Sequence, residues 1–237
     1  MAENNYSVHE AIRDGNGLLA RKLIDDNPKV IFVKDEDDRT PLHWAVSLNN
    51  QGVVDYIIQP RSGLKQIDID DMVDSSGWTP LHMAASIGNS TIVQELMSME
   101  EKPDINLTTD QGVTPLSLAV SKNHYDLVKA MIEEYGAKVS IKDNLGRICL
   151  HRAASIGLEP IVQLLLDHHV RVNSKDNEGW TSLHYALAEG HPKIAVLLAD
   201  NGGDITIQNN DGQTPEQVAV DDKVRQFFRA NLSDRSK

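Results

Sequence analysis

Nine histidines, one cysteine and 35 acidic side chains are the groups of this 237-residue chain that could do chemistry. A metal centre needs several such groups within about 2 Å of one ion. Five of the histidines, His9, His43, His82, His151 and His184, recur one per unit at the fourth position of the frame Thr-Pro-Leu-His or a variant of it. Equivalent atoms of neighbouring helical units stand about 10 Å apart, so these five cannot share an ion and are expected to serve structure. His168-His169 falls at the end of a helical run, an ordinary place for surface histidines. Cys149 fills the Pro position of a frame, which predicts a buried, unreactive thiol. No Cys-x-x-Cys, His-Glu-x-x-His, Gly-x-Ser-x-Gly or glycine-rich phosphate loop occurs. The residues single out no catalytic group and no metal or cofactor site, and the chain is read as a non-enzyme.

The elements that position these residues are repeats. The frame begins at Thr40, Thr79, Thr114, Ile148, Thr181 and Thr214, in steps of 39, 35, 34, 33 and 33 residues, with a degenerate earlier unit near Tyr6. Thr is suited to cap a helix, and Pro to its first position, where no amide partner is lost. Small residues follow, as in Ala84-Ala85 and Ala153-Ala154. Gly88, Gly157 and Gly190, with Asn49 and Asn123 in the same slot, fit a left-handed helix end. A second apolar helix comes next, then Asp- and Gly-rich turns such as "KDNLGR" and "KDNEGW". A period near 33 with this frame resembles the ankyrin repeat. One unit cannot bury its apolar face alone, but stacked units can. The expectation is an all-α ankyrin-repeat solenoid of about seven helix-turn-helix repeats with hairpin-like turn fingers, a single domain over residues 1–237. Its end units should be atypical caps. The extra residues 59–71 are expected to form a longer surface loop.

Within this frame the residue just before the Thr varies: Arg39, Trp78, Val113, Arg147, Trp180, Gln213. That slot lies at the exit of the turn, and Trp and Arg are enriched at binding hot spots. The residue after the frame His shares a face of the first helix with those three and four later; it is Trp44, Met83, Leu118, Arg152 or Tyr185. Turn exits and first helices together form the expected binding face, while Met83 and Leu118 are expected to brace neighbouring repeats. The segments "VKDEDDR" and "IDIDDMVD" add an acidic rim that would steer a basic partner.

The succession "RTPLHWAVS", "SGWTPLHMAASIGN", "QGVTPLSLAVSKN", "LHRAASIG", "GWTSLHYALAEGH" resembles the gankyrin family, nearest to its fungal members, along nearly all of the chain. These are seven-repeat ankyrin chaperones that act in assembly of the 26S proteasome regulatory particle. The resemblance implies a partner, the C-terminal domain of one proteasomal ATPase subunit, gripped in the concave face. It places the family's basic contacts on Arg39 and Lys122, an acidic contact on Asp37 and the aromatic one on Trp78. Ser75 stands where the family has an acidic residue, with Asp74 beside it as a substitute. Together with the variable slots this gives partner-binding candidates Asp37, Arg39, Trp44, Asp74, Trp78, Lys122, Arg147, Arg152, Trp180 and Tyr185. An ankyrin inhibitor or scaffold of a kinase or transcription factor is the alternative that periodicity alone leaves open.

Bulk properties narrow the partners. A formal net charge of −12 disfavours nucleic acid and anionic membranes, which need positive charge on the protein. No apolar run reaches the roughly 18–20 residues of a membrane span. The first ten residues, "MAENNYSVHE", lack the pattern of a signal peptide, and one cysteine permits no internal disulfide. The expectation is a monomer of the cytoplasm and nucleus. If the varied slot is a reading edge, Trp78→Ala should change stability by no more than about 1 kcal/mol yet weaken partner binding by about 2 kcal/mol or more. Urea unfolding and affinity measured on the same variant check this; a large stability loss with unchanged affinity would assign the indole to packing.

Overall fold

The computed structural model describes residues 6–61 and 66–232. Tertiary contacts divide the chain into two compact units, Met1–Pro115 and Leu116–Lys237. The first unit carries α1 (Val8–Arg13), α2 (Gly17–Asp26), a 3-10 turn (Pro28–Phe32), α3 (Pro41–Ser47), α4 (Gln51–Ile58), α5 (Pro80–Ile87) and α6 (Ser90–Met97). The second carries α7 (Pro115–Ser121), whose first residue closes the first unit, then α8 (Tyr125–Glu133), α9 (Cys149–Ile156), α10 (Glu159–Asp167), α11 (Ser182–Ala188), α12 (Pro192–Asp200) and α13 (Asp222–Leu232). Among the described residues there is no strand. The all-α ankyrin-repeat architecture read from the sequence is what each unit shows.

Local sequence explains the alternation. The first helices start at or beside Pro41, Pro80 and Pro115. They end in left-handed residues at the expected slots: Gly88 at φ 78° and Gly157 at φ 89°, with Asn49 at 56° and Asn123 at 59°. The small residues Ala45, Ala84, Ala85, Ala153, Ala154 and Ala186 are fully buried, letting helices approach closely. The second helices bury apolar residues at i, i+1 and i+4: Val53, Val54 and Ile57 in α4, Ile92, Val93 and Leu96 in α6, Ile161, Val162 and Leu165 in α10. That is the stripe of an amphipathic helix.

The frame histidines tie each repeat to the next. In α3, α5 and α11 the amides of Thr40, Thr79 and Thr181 donate to Nδ1 of His43, His82 and His184, at 3.1, 3.2 and 3.1 Å. Ile148 does the same to His151 at 3.0 Å. Since Nδ1 accepts, Nε2 carries the proton and donates onward. His9 reaches the carbonyl of Arg39 at 3.1 Å, His43 that of Trp78 at 3.0 Å and His82 that of Val113 at 3.2 Å. In the second unit His151 reaches Trp180 at 3.2 Å and His184 reaches Gln213 at 3.1 Å. In each case the main chain of the varied slot lies within reach of Nε2, and His82 and His151 also reach the carbonyls of Leu107 and Ser174, both at 3.0 Å. The histidine geometry thus matches the structural role read for it.

One expectation changes. Residues 59–71 are not wholly a surface loop. Ile67 and Ile69 are buried beside Met72, so the end of the insertion is pinned into the core; residues 62–65 lie outside the described residues. The seventh frame is the atypical cap expected of an end unit: residues 215–218 form a turn in place of a first helix, and the charged helix α13 follows. Gln217 stands at the histidine position, and its Oε1 accepts the Thr214 amide at 2.7 Å.

Burial lowers the pKa of His43, His82, His151 and His184, in His82 to about 4. An unfolded histidine titrates near 6.5. Below that pH the unfolded chain binds more protons than the folded one, so stability falls as pH falls through the window between 6.5 and the folded values. His82 alone should remove about 2 kcal/mol by pH 5. Urea midpoints from pH 7 to pH 5 are expected to fall steadily; a flat midpoint would show that these imidazoles are not held neutral.

Candidate functional site

Each turn finger is built on one residue five positions before the frame Thr. It is Asp35, Asp74, Thr109, Asp143, Asp176 and Asn209 in successive repeats. In the aspartates, Oδ1 accepts the amides two and four residues on: Ser76 and Trp78 for Asp74, both at 2.9 Å, and Glu178 and Trp180 for Asp176, at 2.9 and 2.8 Å. This fixes the backbone of the varied slot and leaves Oδ2 facing the first helix. In three fingers Oδ2 takes a donor from the residue after the frame His, nine residues on. Trp44 Nε1 donates to Asp35 at 2.6 Å, Arg152 Nη2 to Asp143 at 3.1 Å and the Tyr185 hydroxyl to Asp176 at 2.7 Å.

In the first unit these contacts gather four candidates. Arg39 and Arg13 both lie over the Trp44 ring, at 5.4 and 5.3 Å from its centroid. Arg39 Nε also faces Asp74 Oδ2 at 3.5 Å. This is an ion pair without a well-formed hydrogen bond, since Nε has no hydrogen-bond partner. Arg39, Asp74 and Trp78 line a groove of about 280 Å³ with Ser47, Ser76, Met83, Ser86 and Ile87. Its apolar wall is Met83, Ile87 and the half-buried Trp78, whose ring lies 6.3 Å from His82. Asp74 is itself buried, so it acts by holding Arg39 and the turn rather than by presenting its own carboxylate. Asp37 is exposed at the finger tip, outside the groove lining, and its carbonyl accepts the Ser75 amide at 2.9 Å. Burial pushes the Asp35 carboxyl up, but the bonds from Trp44 and the Arg39 and Asp37 amides outweigh it and hold it below the usual range. A larger hollow of about 600 Å³ near the ends of α4 and α6 is lined by Ile58, Ile67 and Met99 with Asp55 and Glu95; none of the sequence-predicted residues lies there.

In the second unit two clusters form. Arg147 and Arg152 both pair with Asp143 Oδ2, at 2.9 and 3.1 Å. Burial raises the Asp143 carboxyl, yet the Arg147 amide and guanidinium and the charge of Arg152 bring it below its ordinary value. Trp180 and Tyr185 pack with ring centroids 5.2 Å apart, and burial and then the bond to Asp176 push the phenol far up. Lys122 is exposed just beyond α7 and joins neither cluster. Cys149 is buried, and burial pushes its thiol up to about 12.

Comparison with known proteins places this arrangement. The ankyrin-repeat family matches over residues 64–143 and 135–209, and a single ankyrin repeat over 37–71. The chain is 39% identical over 162 residues to the probable 26S proteasome regulatory subunit p28 of Saccharomyces cerevisiae, covering 68% of this chain and 69% of that protein. The chain belongs to the gankyrin family of ankyrin-repeat proteins. An ankyrin repeat-containing protein of Schizosaccharomyces pombe is 34% identical over 127 residues, 53% of this chain and 52% of the other. The crystal structure of the ankyrin repeat domain of Bcl-3, of the IkappaB family, superposes with TM-score 0.78 at 25% identity, covering 95% of this chain and 99% of that one.

For this gankyrin-family chain, reading side chains alone missed three of the turn aspartates that aim them, Asp74 being among the candidates. Asp35, Asp143 and Asp176 were visible as turn residues, and the signal for more was a donor nine residues later. Asn209 bonds the Asp211 and Gln213 amides at 3.1 and 2.9 Å, so an amide can hold a finger here. Asp143→Asn is therefore expected to keep the fold. Asp143→Ala, which strands two amides, should cost about 1–3 kcal/mol. Equal denaturation midpoints for the two variants would refute the turn-holding role.

Proposed function

We propose that this chain is a non-catalytic protein-binding subunit or chaperone of the proteasome regulatory particle. In this reading it grips the C-terminal domain of one ATPase subunit with its turn exits and first helices during assembly, in the cytoplasm and nucleus. The observation that carries the reading is the residue-level likeness to a protein named as a proteasome regulatory subunit, 39% over 68% of the chain. The site chemistry supports it. Indole, phenol, guanidinium and carboxylate groups are held in fixed geometry on one set of elements, as suits recognition of a folded surface of mixed charge. Likeness to Bcl-3 favours the second reading, a scaffold or inhibitor of a transcription factor or kinase, but at lower identity.

Recombinant C-terminal domains of the regulatory-particle ATPases, titrated by calorimetry, test the proposal: one of them is expected to bind. Arg39→Glu puts a second negative charge against Asp74, and Lys122→Glu reverses an exposed cation. Arg39→Glu should weaken binding by about 2–5 kcal/mol if its partner contact is buried, and Lys122→Glu by less. Unchanged affinity in both variants would remove these residues from the interface. Recovery of a kinase or transcription factor in place of ATPases from cell extract would establish the second reading.

A further inference from the structure

We propose that Arg147 and Arg152 form a preorganised receptor for one carboxylate, an Asp or Glu side chain on the protein that docks against α9 and its turn. The inference rests on the protein-binding reading above and adds the chemistry of one subsite.

Two guanidiniums converge on a single carboxylate. Arg147 Nε and Nη2 lie 3.0 and 2.9 Å from Asp143 Oδ2, and Arg152 Nη2 lies 3.1 Å from the same oxygen. Asp143 Oδ1 is used by the amides of Leu145 and Arg147, at 3.0 and 2.9 Å. Among the described residues Arg152 Nη1 reaches only the hydroxyl of Ser121, at 3.5 Å. Arg147 Nη1 and Arg152 Nε have no acceptor among the described residues. The cluster therefore carries one more positive charge than negative, and donors to spare. The arginine side chains are 28% and 25% exposed while that of Asp143 is 5% exposed, so the anion beneath is sealed and the cations are offered outward. Lys122, next in sequence to Ser121, is exposed, makes no ion pair among the described residues and adds a second cation on a neighbouring first-helix end.

Guanidinium groups match carboxylates with paired N–H donors. Here Asp143 has already restricted both side chains, so docking an anion orders little more. The finger that follows differs. There Asp176 takes a neutral phenol, Tyr185, and keeps its negative charge, so the positive excess is confined to the fifth repeat. A net charge of −12 sets the protein against the long phosphate backbone of a nucleic acid, while the local surplus of one positive charge suffices for a single acidic side chain on a folded partner.

The test uses the full chain and unphosphorylated recombinant C-terminal domains of the proteasomal ATPases. The double variant R147Q/R152Q keeps donors for Asp143 and removes both charges. Its affinity is expected to fall roughly tenfold or more, with a shallower loss of binding between about 50 and 300 mM salt. Circular dichroism confirms folding; if the double variant does not fold, R152Q alone, which keeps the Arg147 pair, should fall several-fold. Wild-type-like affinity and salt dependence in a folded variant overturn the subsite while leaving the protein-binding reading standing. Failure of the wild type to bind any of the domains overturns both.

Discussion

The buried neutral imidazole is the constraint on which the repeats depend. Its Nδ1 must accept from the amide that opens its own helix, and its Nε2 must donate to the carbonyl of the next turn. Both bonds lie where water is excluded, so leaving either unmade would cost the desolvation of a polar group, about 1–3 kcal/mol. A protonated ring could not serve, because Nδ1 would then present a proton to another donor. Burial supplies the remedy by lowering the pKa. One side chain thus sets helix start, repeat spacing and protonation state together.

The same bond explains why the varied slot can vary. What the fold requires of Arg39, Trp78, Val113, Trp180 and Gln213 is a carbonyl, and every residue has one. Their amides are fixed too, by the turn residue four positions earlier. With the main chain pinned on both sides, the repeat does not dictate the type of side chain in the slot, although Arg39 uses its own to meet Asp74. Trp at two of these slots keeps the same main-chain bonds that Val or Gln makes, and its half-buried ring adds a large rigid surface at the turn exit.

Much of this was legible in the sequence for physical reasons. The period, the Pro-opened helices and the left-handed Gly and Asn ends are short-range consequences of local chemistry, and the structure shows them where the sequence placed them. Ile67 and Ile69 were less legible: alternating with Asp in "IDIDD", they resemble loop decoration, and only three-dimensional packing reveals that they are buried. The loss of helix at 215–218 had a visible cause in hindsight, since Gln217 can repeat the histidine's inward bond but carries no ring to span the next turn. Of the site residues, the types were legible and the pairings were not. That Asp74 is buried against Arg39 follows from distances across repeats that sequence spacing does not encode.

Those pairings obey a rule of their own. A turn aspartate uses one oxygen for the finger and has a second to satisfy. Where the carboxylate is Asp35, Asp143 or Asp176, the residue nine later is Trp44, Arg152 or Tyr185, each with a donor. Where the turn residue is Thr109, its single oxygen accepts the Val113 amide, no second acceptor remains, and the residue nine later is Leu118. Asn209 offers an N–H in place of the second oxygen, directs it at Gln213 Oε1, and has Val218 nine later. Asp74 is the exception that exposes the logic. Met83, nine residues on, has no donor, and the carboxylate is met by Arg39 from the preceding finger. The polar and apolar character of the candidate face is therefore partly dictated from beneath by the turns. A donor at this position is bound to its aspartate first, and only what that bond leaves over stays open to solvent: the ring faces of Trp44 and Tyr185, and the unused donors of Arg147 and Arg152.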